Sequence, residues 1–146
     1  MKTVLLVDDE IEFMTVVSDL LSARGFRVET CRNGTDALDR IKARPFDAFV
    51  ADVVMEGTVG TALLQGIHSS PGCENMPVIF MSGMPERRVR LIIEGNYVFL
   101  HKPFSTDALV SAVNGACDHS GDCSQSTLGY PWGAPEDAAR VHPRAP

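Results

Sequence analysis

Five polar side chains in this sequence each follow closely on a short apolar run. Asp8 and Asp9 come after Thr3 to Val7, Asp52 after Asp47 to Ala51, Ser82 after Pro77 to Met81, and Lys102 shortly after Tyr97 to Leu100. If those runs are strands of one parallel sheet, their C-terminal ends meet at a single edge, where open α/β sheets bind ligands. Three carboxylates, a hydroxyl and an ammonium then converge from four separate segments. At ~5 Å and an effective dielectric of ~20, each pair of ionised carboxylates costs about 3 kcal/mol, so something cationic must sit among them. A small hard dication fits, because magnesium takes one or two carboxylates, several waters and a phosphate oxygen. Lys102 adds positive charge from the opposite side. The set suits phosphoryl transfer onto a carboxylate, which needs in-line positioning and charge neutralisation more than covalent help. Asp52, ending a central strand, is the expected nucleophile. Asp8 and Asp9, where a strand turns into a helix, are better suited to holding the metal. Ser82 and Lys102 can each bond one phosphoryl oxygen, leaving the third for the ion.

The elements that must position these groups can be read from the hydrophobic rhythm. Apolar runs rich in β-branched residues, Thr3 to Val7, Arg27 to Thr30, Asp47 to Ala51, Pro77 to Met81 and Tyr97 to Leu100, alternate with amphipathic stretches, as βαβ units require. The first, third and fourth runs are almost wholly apolar and should be central strands covered on both faces. Ile11, Met14, Val17 and Leu21 recur at helical spacing up to the terminator Gly25. A second helix is expected from Thr35 to Ala43 and a third from Thr61 to His68, before the breaker Ser69-Ser70-Pro71-Gly72. The fourth should open with Pro85 and end at Gly95; the fifth follows Pro103-Phe104, capped by Ser105, with Leu109, Val113 and Ala116 inward. The pattern is (βα)5.

Composition narrows the class. The 146 residues allow one domain with an appendage, and a net charge of -6 with both signs interspersed gives no basic patch for phosphate backbones, so no direct nucleic-acid partner is expected. The apolar start, Val4 to Val7, is cut short by Asp8-Asp9-Glu10, too early for an export signal. No run reaches the ~18 apolar residues that span a bilayer, so a cytoplasmic protein without a membrane partner is expected. Cys31, Cys73, Cys117 and Cys123 lack a CxxC pair and read as free thiols; Cys117, His119 and Cys123 lack a fourth ligand and a metal-site spacing. The expected division is a domain over 1–117 and a Pro/Gly/Ser-rich tail over 118–146. That tail cannot form a core alone; it is either flexible or laid against the domain through Tyr130-Pro131-Trp132.

The acidic pair Asp8-Asp9, the block Asp52-Val53-Val54-Met55-Glu56-Gly57-Thr58-Val59-Gly60, the pair Ser82-Gly83 and Lys102-Pro103-Phe104 occur in order, each at an expected strand end. In this, residues 1 to about 117 resemble a response-regulator receiver domain. The resemblance implies a flavodoxin-like, doubly wound sandwich with strand order 2-1-3-4-5. It implies a module of two-component phosphorelays, with Asp52 accepting a phosphoryl group from a histidine kinase or histidine phosphotransfer protein. Such a module is not an enzyme beyond the phosphorylation and dephosphorylation of its own aspartate. Asp8, Asp9, Asp52 and the backbone carbonyl of Val54 would hold Mg2+. Ser82, Gly83 and Lys102 would bind the phosphoryl group, and Ser82 and Phe99 would form the switch. No DNA-binding output domain follows, so output is expected through protein contact at the helix 4/strand 5/helix 5 face, with a homodimer as a further form of contact.

Departures from the family pattern carry their own expectations. Glu56 stands where the family often has proline, adding a charge and removing a rigid turn. Val54 and Met84 occupy two variable places bordering the site; neither can hydrogen-bond an attacking water, so self-dephosphorylation is expected to be slow. The stretch from Ser82 to Lys102 is short for the family, so helix four should be brief or irregular, as in receivers attached to hybrid histidine kinases.

Taken singly, each residue has a plainer reading. Asp8 and Asp9 could cap a helix, Ser82-Gly83 could be a turn, Lys102 a loop lysine and Phe99 a core residue. Met14, Met55, Met76, Met81 and Met84 read as packing residues, and His101 as facing away from Lys102. Arg87, Arg88 and Arg90 read as a solvated helix face or an acidic partner's dock. Two rival functions remain. One is a phosphorylation-independent receiver-like interaction domain in which Glu56 mimics the charge. The other is an aspartyl phosphohydrolase, which would want two aspartates two residues apart where Val7-Asp8-Asp9-Glu10 stands.

Overall fold

In the computed structural model, the described residues are 1–55 and 58–119. Five sheet strands, β1 (Thr3–Val7), β2 (Arg27–Cys31), β3 (Ala48–Asp52), β4 (Val78–Ser82) and β5 (Val98–His101), pair in parallel in the order β2-β1-β3-β4-β5. Five helices connect them: α1 (Ile11–Ala23), α2 (Gly34–Ala43), α3 (Gly60–His68), α4 (Glu86–Ile92) and α5 (Thr106–His119). This is the flavodoxin-like arrangement expected from the sequence. Between β3 and α3, Val54–Met55 and Thr58–Val59 form a separate two-residue antiparallel ribbon.

The three apolar runs are central because helices cover both faces of the sheet there, and every residue from Val4 to Val7, Ala48 to Ala51 and Val78 to Met81 is buried. Alternation along the strands splits the core in two. Leu5, Val7, Phe49, Phe80 and Phe99 face α2, α3 and α4, while Leu6, Val50, Ile79, Val98 and Leu100 face α1 and α5. β3, β4 and β5 each lie one residue later than the sequence placed them, which brings Asp52 and Ser82 into the last strand position.

Local chemistry sets the helix ends. Asn33 caps α2 by accepting from Asp36 N–H at 2.8 Å, and Ser105 Oγ accepts from Ala108 N–H at 3.0 Å at the start of α5. Gly25 turns the chain after α1 at φ 93°, where a side chain would be strained. In α1, Met14, Val17 and Leu21 are buried as expected, but Ile11 is 49% exposed because the first turn projects past the end of the core toward the strand-end edge. In α5, Leu109, Val113 and Ala116 point fully inward.

α4 is brief, as expected, with seven residues. Pro85 stands before it in an extended conformation (ψ 142°) rather than inside it, and the helix stops at Ile92, three residues short of Gly95. Its terminal carbonyls are taken by side chains: Thr61 Oγ1 donates to Ile92 O at 2.6 Å and Tyr97 OH to Ile93 O at 2.8 Å. The arginine run divides. Arg87 and Arg88 are exposed, whereas Arg90 is half-buried, ion-paired with Glu86 and stacked 4.3 Å from the Tyr97 ring centroid.

Met14, Met76 and Met81 are buried and Met84 packs against the core, as packing residues should. Cys31 and Cys73 are buried free thiols, and Cys117 is buried on α5. Cys123, Glu56 and the Tyr130-Pro131-Trp132 anchor lie outside the described residues. No helix among the described residues is long and apolar enough to cross a membrane.

Candidate phosphoacceptor site

The parallel ladder carries the chemistry to one edge. Past the end of β1, Asp8 N–H still donates to Cys31 O at 3.2 Å, which locks the residue at the sheet edge with 1% of its surface exposed. Asp8 Oδ1 accepts from Glu10 N–H at 2.9 Å, turning the chain into α1, but Oδ2 is buried with no hydrogen-bond partner. Burial pushes the carboxyl pKa of Asp8 upward. The Glu10 N–H opposes that rise, the charge of Asp52 adds to it, Lys102 lowers it and Asp9 raises it again. Asp9, Asp52 and Lys102 are therefore all within electrostatic reach of Asp8. Asp9 itself is exposed at the mouth.

Asp52 closes β3 with both carboxylate oxygens engaged. Oδ1 accepts from Val54 N–H at 3.1 Å, and Oδ2 accepts from Lys102 Nζ at 2.6 Å. Both partners of this ion pair are more than three-quarters shielded from solvent. The lysine reaches it because Lys102 N–H donates to Ser82 O at 2.8 Å, adding one rung beyond the ladder between β4 and β5. Its ammonium also lies 4.2 Å from the centroid of the Phe13 ring, and Phe13 meets Phe104 edge to face at 6.1 Å. His101 is exposed, and its ring leans toward Phe99 rather than toward the lysine's partners.

Ser82 is buried at 4% exposure, and its Oγ accepts from Met84 N–H at 3.0 Å. Gly83 is exposed, with open space where a side chain would begin. Val54 is 65% exposed beside the acceptor. Phe99 is not at the edge: it lies within the core at 2% exposure, between the cleft and the α4 layer.

The structure places Asp8, Asp9, Asp52, Ser82 and Lys102 at one edge of the sheet, together with Phe13, which the sequence reading left out. The helical pattern assigns Phe13 no task, since it falls beside the buried Met14 stripe; the available signal was an aromatic four residues after the acidic pair. No three His, Cys, Asp or Glu groups among the described residues already stand in a metal-holding cluster. The Lys102 ammonium neutralises Asp52 instead. The donor set nonetheless fits magnesium, which binds through one or two carboxylates and keeps several waters, and the orphaned Asp8 Oδ2 is an oxygen in want of a positive partner.

The fold is that of a doubly wound α/β receiver module, and comparison with known proteins agrees. The profile of the response regulator receiver domain matches residues 4–114, and the chain belongs to that family. It is 33% identical over 119 residues to the putative response regulator NtrX-like protein of Rickettsia bellii, covering 79% of this chain and 24% of that one. The chain therefore spans about a quarter of that relative. Among solved structures, the receiver domain of the hybrid histidine kinase CckA is similar at 30% identity and a TM-score of 0.66, over 79% of this chain and 98% of that one. The receiver domain of sensor histidine kinase PA1611 from Pseudomonas aeruginosa, with magnesium coordinated in its active site cleft, shares the fold at a TM-score of 0.72 and 22% identity, over 80% of this chain and 98% of that one.

Proposed function

We propose that this domain is a phosphorylation-activated switch in which Asp52 takes a phosphoryl group from a histidine kinase or histidine phosphotransfer protein. The observation that carries this is the 2.6 Å contact of Lys102 Nζ with Asp52 Oδ2 at the end of a central strand, inside an otherwise acidic cleft. In the transfer, an Asp52 oxygen attacks phosphorus in line, the P–N bond to the donor imidazole breaks, and the imidazole leaves with its electron pair and takes up a proton. Lys102 moves its ammonium from Asp52 to a phosphoryl oxygen, and Ser82 and the Gly83 backbone bind the others. Asp8, Asp9, Asp52 and the Val54 carbonyl would hold Mg2+, which when bound neutralises charge on the incoming phosphoryl group.

The switch runs through Ser82 and Phe99. When the Ser82 hydroxyl turns from Met84 N–H to the phosphoryl group, the loop it anchors shifts, and Phe99 beneath it repacks between alternative positions. Phe99, His101, Pro103, Phe104 and Ser105 line an open cleft of about 590 Å³ that also reaches Glu86 of α4. A protein target reads this α4–β5–α5 face, the kinase reads the acidic edge, and a homodimer is a third form of contact. The module acts in the cytoplasm, over a domain of residues 1–117 followed by a tail, 118–146.

A phosphorylation-independent interaction domain would have no use for the Lys102–Asp52 pair, which favours the switch. The test is Mg2+-dependent labelling from a small phosphodonor, comparing wild type with Asp52→Asn. Wild type should label and hold its phosphoryl group for long times, because the exposed Val54 and the apolar Met84 offer water no hydrogen bond. Labelling that survives Asp52→Asn would overturn the acceptor, and a short phosphoryl lifetime would overturn the account of Val54 and Met84.

A further inference from the structure

Phe13 has no place in the reading above, yet its ring face is one of only two partners described for the Lys102 ammonium. The residue is half-buried on α1, beside the buried stripe of Met14, Val17 and Leu21, and packs against the core of the α1 and α5 layer. Phe104, two residues beyond Lys102, meets it edge to face with ring centroids 6.1 Å apart. The segment that carries the lysine thus contacts the ring twice. The same helix begins at Ile11, with Glu10 between it and the acidic pair, so one element links the acidic edge to the ammonium.

We propose that Phe13 is a positioning residue for phosphoryl transfer, whose ring face holds the Lys102 ammonium in the cleft while it exchanges Asp52 Oδ2 for a phosphoryl oxygen. This rests on Asp52 being the acceptor. The need is physical. Lysine carries its charge on a flexible four-carbon stem, and an ammonium released from Asp52 would otherwise be free to swing into water. A second carboxylate could restrain it, but would add negative charge and compete with phosphate for its three protons. An aliphatic side chain would strip water from the ammonium and return no attraction. An aromatic face attracts the cation through its quadrupole and leaves the N–H groups available for oxygens. The ring contact can persist while the oxygen partner changes, so the ammonium is already in place when the phosphoryl group arrives.

The experiment replaces Phe13 by phenylalanines carrying one, two and three ring fluorines, which keep the shape and progressively weaken the negative face. Asp52 labelling from phosphoramidate is measured at saturating Mg2+, with Mg2+ affinity titrated separately and Asp52→Asn run alongside. Labelling should slow stepwise with fluorination, by roughly 3- to 30-fold at three fluorines, the span that cation–π energies convert to. Mg2+ affinity should not change. Phe13→Leu should fall with the trifluoro protein and Phe13→Trp should recover. A rate flat across the fluorine series, or Mg2+ affinity declining in step with the rate, would reduce Phe13 to a packing residue. Labelling that persists in Asp52→Asn would instead remove the acceptor, so the two failures are separable.

Discussion

On one face of the sheet, α1 and α5 run for 13 and 14 residues, and the inward positions Val17, Leu21, Leu109, Val113 and Ala116 are almost wholly buried. On the other, α4 has seven residues, buries Val89 and leaves Leu91 85% and Ile92 44% exposed. The first layer is held by packing, in which contacts are many and each is small. The end of α4 is held by a few polar contacts: Thr61 and Tyr97 on its last carbonyls and Arg90 between Glu86 and the Tyr97 ring. A helix end tied by a few such bonds can release and reform them as a unit, which is what a two-state element needs. The site straddles this difference. Lys102 leans on Phe13 of the packed layer, whereas Ser82 leads into α4 through Met84.

The largest effect should come from the packed side. Lys102→Met removes the ammonium and leaves Asp52 with only the Val54 N–H as a described donor, so labelling from a small phosphodonor should slow on the order of 100-fold, as loss of one charge-stabilising donor does. Arg88→Met on exposed α4 is the matched control, and should leave the rate within about twofold. Equal losses from both would show that general charge, rather than the placed lysine, drives the reaction.

A smaller effect should come from the tied side. Burial raises the pKa of the Tyr97 phenol, so it remains a donor to Ile93 O throughout the neutral range. Tyr97→Phe keeps the ring under Arg90 and deletes the hydroxyl's bonds to Ile93 O and to Arg90, at a cost of roughly 1–2 kcal/mol. Hydrogen exchange should quicken in α4 and remain as it was in α1 and α5. Faster exchange spread evenly over both layers would contradict the division between packed and tied helices.

The same division governs what was legible in the sequence. Strands and packed helices announce themselves by period, so the inward faces and the strand-end placement of Asp8, Asp9, Asp52, Ser82 and Lys102 could be read from spacing, whereas the strand order came from the family resemblance. Strand windows slipped by one residue because Asp52 and Ser82 are polar yet complete their strands, and hydrophobicity ends where the ladder does not. α4 stopped early because Thr61, 31 residues away, takes its carbonyl, and no local pattern encodes that contact. Phe13 escaped notice for the same reason: its partner is an ammonium 89 positions distant, and an aromatic at the edge of a helical stripe looks like any packing residue.

The smallest effect, and the one opposite in sign, concerns Asp8. Its folded-state carboxyl pKa is raised above the usual 3.8, first by burial, with Asp52 and Asp9 adding to the rise. An acid whose pKa rises on folding weakens the folded state at every pH above that raised value, and the penalty fades as pH falls through it toward 3.8. Asp8→Asn removes the charge and can keep the acceptor for Glu10 N–H, so without metal at pH 7 the variant should be more stable than wild type. The gain should appear as a higher melting temperature. Wild type should close the gap as the pH is lowered. Saturating Mg2+ should reverse the order, because a cation at the orphaned Asp8 Oδ2 stabilises only the protein that retains both oxygens. Thermal unfolding in chelator and in Mg2+ reads both effects. A variant less stable than wild type by the same margin in both conditions would mean that the packed side stores no charge strain for a metal ion to relieve.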